Sequence, residues 1–346
     1  MVEITTVGLD IAKQLFQVHG VSADGTVLFN RRLRRSEVVR YFTKLPVCLV
    51  GIEACGGSHY WAREIAALGH DVRLIPPGYV KPYVKRGKTD AIDAEAICEA
   101  VSRPTMRFVP IKTIECQAAQ LTLRSRDLIV RQRTQTINAL RGHLAELGIV
   151  AAKGLAKIAT LILIVRDEND ARLPTTARKA LSMLADQIET LSDQIRVLEC
   201  EIVRSVRQDD EARRLTSIPG IGPITAATIR ALVPNPAVFV SGRHFAAWIG
   251  LTPRSHASGG KERIGKISKM GNPALRSLLV VGATAVIRHV RRGAAVSPWL
   301  TALLARRPAK VAAIALANKL ARIAWVLLAK GGTFVRHKQI PTTVAG

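Results

Sequence analysis

Short runs in which apolar and polar residues alternate, or in which β-branched residues cluster, occupy 4–9, 15–21, 27–33 and 47–52, with turn signals such as Ala23-Asp24-Gly25 between them. A period of two predicts strands. Tyr60 to Leu68 reads as a helix, Asp71 to Ile75 as another strand, and a helix is expected from Thr89 or Asp90 to about Val101. Strands first, then alternating helix and strand, indicate a mixed α/β sheet domain, closed by the proline-containing crossing Arg103-Pro104 to Pro110.

The period then lengthens. Lys112 to Leu147 has helical composition with no proline and no glycine before Gly142, and Leu140, Leu144 and Leu147 continue one face. Leu181, Leu184, Ile188, Leu191, Ile195, Leu198 and Ile202 are spaced alternately three and four apart, the a/d pattern of a coiled coil. Two long helices joined near 150–175 would form an antiparallel pair or a dimerising arm; an ordinary amphipathic helix packed on its own domain shows the same spacing. After Glu211, helices are expected at 224–233, 243–249, 273–290 and 309–329, separated by Pro or Gly breaks. The expected organisation is α/β plus α: a sheet domain over 1–110, a helical arm over 111–208 and a mainly α domain over 209–346.

Charge changes this picture most in the last third. The 346 residues carry a formal charge of +25, from 51 Lys plus Arg against 26 Asp plus Glu. Residues 1–100 hold 13 basic and 11 acidic side chains, 101–211 hold 17 and 14, and 212–346 hold 21 and only Glu262. Solubility alone intersperses both signs, so a segment this one-sided is suited to phosphates. With 48% hydrophobic residues the chain is not a disordered basic tail. A carboxylate metal site, if present, has to come from the first two thirds.

Cys48, Cys55, Cys98, Cys116 and Cys200 are odd in number and form no C-x-x-C pair, which suggests neither a disulfide framework nor structural zinc and fits a reducing cytosol. No secretory leader is apparent, and the apolar stretches near 277–287 and 311–329 look too short or too interrupted, by Asn318, Lys319 and Arg322, to span a bilayer. The expected location is the cytoplasm, associated with the nucleoid, with nucleic acid rather than membrane as partner.

Four acids carry candidate chemistry. Asp10 follows the strand-like Thr5 to Leu9, and Glu53 follows Leu49 to Ile52 in the same way. Asp90 and Asp93, in Lys88-Thr89-Asp90-Ala91-Ile92-Asp93-Ala94, share one helix face at a spacing of three. Such a cluster repels itself unless a divalent ion relieves it, and an oxygen-only donor set suits Mg²⁺, with Mn²⁺ as the alternative. Two such ions would serve phosphodiester chemistry. Equally, Thr89 or Asp90 is a good N-cap, Asp93 is favourable near the helix dipole, and strand-end acids are commonly just solvated.

Ser217-Ile218-Pro219-Gly220-Ile221-Gly222-Pro223 is an apolar G-x-G turn entering a helix. It has the form of a helix-hairpin-helix, whose turn amides hold a phosphate without reading bases, or of a tight helix connection. Leu251 to Asn272, with Arg254, Lys261, Arg263, Lys266 and Lys269, reads as a mobile basic loop. A serine there could attack a phosphate whose charge those cations offset; from chemistry alone Ser255, Ser258 and Ser268 are equally eligible.

Taken together, Gly8-Leu9-Asp10, Gly51-Ile52-Glu53-Ala54, Lys88 to Ala94, Ile218-Pro219-Gly220-Ile221-Gly222 and Gly250-Leu251-Thr252-Pro253-Arg254 to Ser258-Gly259 resemble the DEDD transposases of bacterial insertion sequences, in the insertion-sequence family one-hundred-and-ten. The resemblance spans nearly the whole chain in order. It implies a RuvC-like, ribonuclease-H-type N-terminal domain, a coiled-coil arm and a C-terminal transposase domain with a helix-hairpin-helix. It implies that Asp10, Glu53, Asp90 and Asp93 bind Mg²⁺ and that Ser258 is the nucleophile forming a phosphoserine link. It further implies donor and target DNA, a bridge RNA pairing with both, and a homo-oligomer, dimers assembling to tetramers in which one protomer's carboxylates meet another's serine. Cys55 stands where relatives often have Thr, and a thiol beside a metal site would make the protein oxidation-sensitive.

Two other classes compete. A metal-only, junction-resolvase-like endonuclease would use Ser258 merely to touch a phosphate, and an architectural nucleic-acid protein would leave the four acids as caps and solvated ends. No recognition helix stands out, consistent with sequence choice by RNA pairing.

Overall fold

The structure is a computed structural model that describes residues 3–85, 87, 89–258, 261–292 and 297–335, with the backbone alone at 155, 257–258 and 261–262. The chain divides into two compact units, Met1–Thr113 and Ile114–Gly346.

The first unit contains β1 (Ile4–Ile11), β2 (Leu15–Ser22), β3 (Val27–Arg34), α1 (Val38–Thr43), β4 (Leu49–Glu53), α2 (Ser58–Ala66), β5 (Asp71–Ile75), α3 (Pro77–Val80) and α4 (Asp90–Val101). One sheet runs in the order β3-β2-β1-β4-β5, antiparallel across β3, β2 and β1 and parallel across β1, β4 and β5. The core follows the sequence pattern: Val7, Leu9, Phe16, Val18, Val50, Ile52 and Leu74 are buried, and Trp61, Ala62 and Ile65 of α2 pack with them. Buried His70 faces both Cys48 and the Phe42 carbonyl, so its ring nitrogens are matched within the core.

The second unit contains α5 (Ile114–Glu146), α6 (Ile158–Arg166), α7 (Thr175–Gln208), α8 (Asp210–Leu215), α9 (Pro223–Leu232), α10 (Gly242–Ile249), β6 (Pro253–Ser258), β7 (Lys261–Ile267), α11 (Pro273–Arg291), α12 (Pro298–Arg306) and α13 (Ala309–Lys330). α5 and α7 run antiparallel: Arg126 binds Glu199 at 2.5 Å, and Arg133 reaches Ser192 at 3.4 Å. The stripe of alternate three- and four-residue spacing is turned inward within the same chain, Leu181, Ile188, Leu191, Ile195 and Ile202 being buried. At one end of the pair, Ile137, Leu140 and Leu144 pack with Leu181, Ala185, Ile188 and α6. At the other, Leu123, Ile202 and Val206 join the core of α8 to α13. The short helices α1, α3, α6, α8 and α12 are not among the elements that the sequence pattern predicts.

By length and composition α11 and α13 are long and apolar enough to cross a membrane, which corrects the expectation that both stretches are too short or interrupted. α11 (Pro273–Arg291) extends four residues beyond its apolar stretch at each end, whereas α13 (Ala309–Lys330) nearly coincides with its own and qualifies despite Asn318, Lys319 and Arg322. In α13 the apolar surface is taken up by packing, with Ala312, Leu316, Ala317, Leu320, Ala321 and Ala324 buried in the helical core.

Candidate active site

Asp10 and Glu53 arrive at the same end of two adjacent interior strands of the first unit's sheet. Leu9 and Ile52 are register partners in the parallel β1–β4 pairing, so the acids that follow them stand side by side, Asp10 one residue before the end of β1 and Glu53 as the last residue of β4. The two-residue period puts Gly8 and Asp10 on one face, and pairing of Gly8 with Gly51 puts Gly51 and Glu53 on it too. That face is covered by α4. A Cβ at Gly8 would stand 2.8 Å from Cys98 Cβ and overlap the Ala94 carbonyl, and one at Gly51 would stand 2.7 Å from Val101 Cβ. The two glycines therefore let the helix lie directly on the strands, and its first turn brings Asp90 and Asp93 to the acids at the strand ends.

The cap at this turn is threonine. Thr89 Oγ1 accepts a hydrogen bond from the Ile92 amide at 3.3 Å, so neither aspartate is needed for capping. Asp90 is exposed and Asp93 half-buried, both in the first turn, where the helix dipole offsets part of the cost of gathering acids.

The electrostatics record the convergence. Burial, then the negative charges of Asp93, Asp90 and Glu53, push Asp10 up to about 6. Burial and then Asp93 raise Glu53. The Cys55 thiol is raised by burial and then by Glu53 and Asp10, which places it at the margin of the same field. Among the described residues no three His, Cys, Asp or Glu side chains close to a chelating group. The four carboxylates thus share a field without meeting at one point.

In the second unit the α8–α9 turn closes through the Ile221 amide on the Ile218 carbonyl at 2.9 Å. Gly220 has φ +92°, and a Cβ there would come 3.0 Å from the Gly282 carbonyl oxygen, so packing on α11 accounts for this glycine. Gly222 has open space where a Cβ would be and is the N-cap of α9, ahead of Pro223. Of the two glycines, Gly222 is the one beside open helix-end amides.

The expectation of a mobile basic loop over 251–272 is corrected. β6 and β7 pair antiparallel, with Ser258 opposite Lys261 and His256 opposite Arg263. The signal was present in the sequence: Gly259-Gly260 separates two segments of strand length, and two glycines suit a two-residue hairpin connection. Lys88 and Gly259–Gly260 lie outside the described residues, as do the side chains of Ser258 and Lys261. Ser258 ends β6, and exposed Arg254, Arg263, Lys266 and Lys269 lie on or beside the hairpin. Ser268 is engaged locally, its hydroxyl accepting from the Met270 amide at 3.4 Å and its carbonyl from Arg254 at 3.1 Å.

Sequence reasoning missed the positioning glycines Gly8 and Gly51. The available signal was a glycine two residues before each strand-end acid.

A sheet that gathers acids at one end of its strands, in a chain with so basic a helical unit, defines a class of enzyme acting on nucleic acid. Residues 7–149 match the DEDD transposase family named for IS110, and residues 212–297 match the family described as Transposase IS116/IS110/IS902. A probable family 20 transposase of Pseudomonas aeruginosa is 50% identical over 94% of this chain and 97% of its own length. A putative transposase of Sinorhizobium fredii is 47% identical over 96% of this chain and 86% of its own. The transposase for insertion sequence element IS1111A of Coxiella burnetii is 40% identical over 96% and 92%. The chain belongs to the IS110/IS116/IS902 family of transposases, enzymes that cleave and join DNA.

Proposed function

We propose that this transposase cuts and rejoins DNA through a phosphoserine intermediate at Ser258, with Mg²⁺, or Mn²⁺ in its place, held by Asp10, Glu53, Asp90 and Asp93. The observation that carries this reading is the convergence of the four acids where the first turn of α4 meets the ends of β1 and β4; burial, then the charges of Asp93, Asp90 and Glu53, push Asp10 up to about 6. The DEDD family is generally metal-dependent. The donor set fits a hard divalent cation: the donors are oxygens only, and their mutual repulsion is what such an ion relieves. When bound, the ion would offset charge on the phosphodiester oxygens as the bond is exchanged.

In the serine step the Ser258 Oγ–P bond forms as a P–O bond to sugar breaks. The serine proton is released and the departing sugar oxygen takes one up, so the exchange conserves the phosphoester and needs no external energy source. Arg254, Arg263, Lys266 and Lys269, with Lys261, supply the charge that holds the anionic phosphate near the hairpin. Gly222, Gly220 and the α9 N-terminus act as a helix-hairpin-helix element on a DNA backbone phosphate. The first unit is the RuvC-like domain, 1–110. The α5–α7 pair, within 111–208, is a coiled-coil arm whose stripe is satisfied within the chain, and 209–346 is the transposase domain of a homo-oligomer in which dimers assemble to tetramers. One protomer's carboxylates work with another's serine, on donor and target DNA chosen by a bridge RNA, in the nucleoid-containing cytoplasm.

The test is to express the protein with its element's flanking non-coding DNA, add donor and target duplexes with Mg²⁺, and map any denaturation-resistant protein–DNA adduct by mass spectrometry. An adduct at Ser258 that disappears in Asp10→Asn is the expected result. Mg²⁺-dependent nicking without an adduct, with the RNA present, would replace this reading with the metal-only endonuclease.

A further inference from the structure

A groove of about 1820 Å³ runs along the second unit between α10, α12, α13 and the base of the β6–β7 hairpin. Its floor is apolar, from Ile267, Ile314, Ile323 and Val326. Its walls carry Arg243, Lys266, Lys269, Lys310, Lys319 and Arg322, and among the described residues no carboxylate lines it. The segment that builds it, 212–346, contains Glu262 as its single acid. Trp299 stands in the wall, 37% exposed, with Lys319 Nζ 4.3 Å from its ring centroid.

Two features restrict the occupant. Six cations without a counter-charge require a polyanion, and that alone would suit any nucleic acid. An apolar floor beside an indole is of no use to a duplex, which buries its bases and presents phosphate and sugar. A single strand presents both a charged backbone and unpaired π faces, and grooves for it combine cations with aromatic surface. The groove also adjoins the proposed nucleophile. Pro253, Gly265, Lys266 and Ile267 line it from the hairpin whose other end is Ser258, about 17 Å along β6 at strand rise.

We infer that this groove holds the unpaired DNA strand adjoining the phosphate joined to Ser258, with its bases on Trp299 and the apolar floor and its phosphates on the surrounding cations. The location rests on the serine reading above; the binding itself does not. Holding the strand there would keep the cut end beside the hairpin until it is rejoined.

The experiment uses the full chain carrying Ser258→Ala, so that no adduct forms, titrated with a labelled short oligothymidylate across a range of salt. Trp299→Ala is expected to weaken binding between about fivefold and a hundredfold. Lys310→Glu with Arg322→Glu, both exposed positions, is expected to flatten the salt dependence by about 0.7 in log–log slope for each phosphate that is no longer neutralised. Photo-cross-linking with an iodouracil-bearing DNA strand should label the α12 or α13 peptide. Unchanged affinity in variants with unaltered melting overturns the inference, as does an equal loss for duplex DNA. So does preference for oligouridylate RNA that DNA fails to displace, or a change in oligomeric mass without DNA, which would make the groove a protein interface. Repeating the groove substitutions in the chain that retains Ser258 separates the two readings: a Ser258 adduct there beside unaltered oligonucleotide binding defeats the groove alone, and groove-dependent binding with no adduct in that chain defeats the serine reading alone.

Discussion

The sheet domain and the C-terminal part of the second unit handle charge in opposite ways. Residues 1–100 are nearly balanced, with 13 basic and 11 acidic side chains, yet four of those acids are drawn into one field by the packing of α4 on β1 and β4. Residues 212–346 have 21 basic side chains against one acid, spread over a hairpin, helix ends and a groove. The first arrangement is a local cluster and the second is a surface. A cluster depends on backbone placement at the scale of a methyl group, whereas a surface averages over many weak attractions and tolerates the removal of any one.

The largest effect that separates them is on strand cleavage. Asp10→Asn or Glu53→Gln is expected to reduce it on the order of a hundred- to a thousandfold, the scale of removing one group that stabilises a transition state. Single replacements of exposed cations such as Arg263→Ala or Lys266→Ala should cost only a few fold, and mainly at high salt. The comparison breaks if Lys266→Ala proves as damaging as Asp10→Asn in a cleavage assay at one salt concentration.

Next comes Gly8→Val, which touches no acid. The added side chain has to displace α4 from the sheet, at a cost of at least about 1 to 3 kcal/mol. Cleavage should fall with stability, because Asp90 and Asp93 ride on the displaced helix. Gly142→Ala is the control: Gly142 lies in α5 with open space where a Cβ would be, and alanine there should stabilise by about 0.5 to 1 kcal/mol. Denaturant unfolding of both variants measures the contrast, and a Gly8→Val protein as stable as the parent would refute the role given to that packing.

Much of this was legible in the chain because its signals are local. Strand alternation placed β1 to β5, the three-and-four stripe placed α7, and acids ending two apolar runs marked Asp10 and Glu53. What escaped was non-local. That Gly8 meets Cys98 across the helix–sheet interface, or that Gly220 meets Gly282, requires the packing itself. Gly220 illustrates the limit: a glycine beside a helix start suggests approach to a phosphate, and here it also answers a steric demand from α11. The β6–β7 hairpin carried a turn signal, Gly259-Gly260, but its cationic and polar strands lack the hydrophobic alternation that a half-buried strand shows. The groove was illegible because Arg243, Lys266 and Lys310 come from three separate elements.

A smaller effect concerns the cap. Thr89→Ala removes the hydroxyl that accepts from Ile92, and should lower stability by about 1 kcal/mol. Thr89→Ser keeps the acceptor and should restore most of that loss. Because the fraying turn carries Asp90 and Asp93, the alanine variant should need more Mg²⁺ for half-maximal cleavage, measured by metal titration. An unchanged metal requirement beside reduced stability would mean that the first turn need not be ordered for the site to work.

The smallest expected effect is on stability against pH, and its sign is the informative part. Asp10 has a folded pKa of about 6 against an ordinary 3.8, so between these values the folded chain binds more protons than the unfolded one. Stability therefore falls as pH rises through this window, and the penalty is complete above about pH 6. Asp10→Asn removes the penalty. In metal-free buffer at pH 8 the variant should be more stable than the parent by on the order of 1 kcal/mol, since solvent screening at a half-buried carboxylate discounts the full shift. Below the unfolded value the two should converge. Saturating Mg²⁺ should reverse the order at pH 8, because an ion bound only by the folded parent adds stability that the variant, lacking one ligand, gains less of. Urea unfolding at pH 8 with chelator and then with Mg²⁺ reads both signs, and a variant never more stable than its parent without metal would show that the four acids impose no strain on the fold.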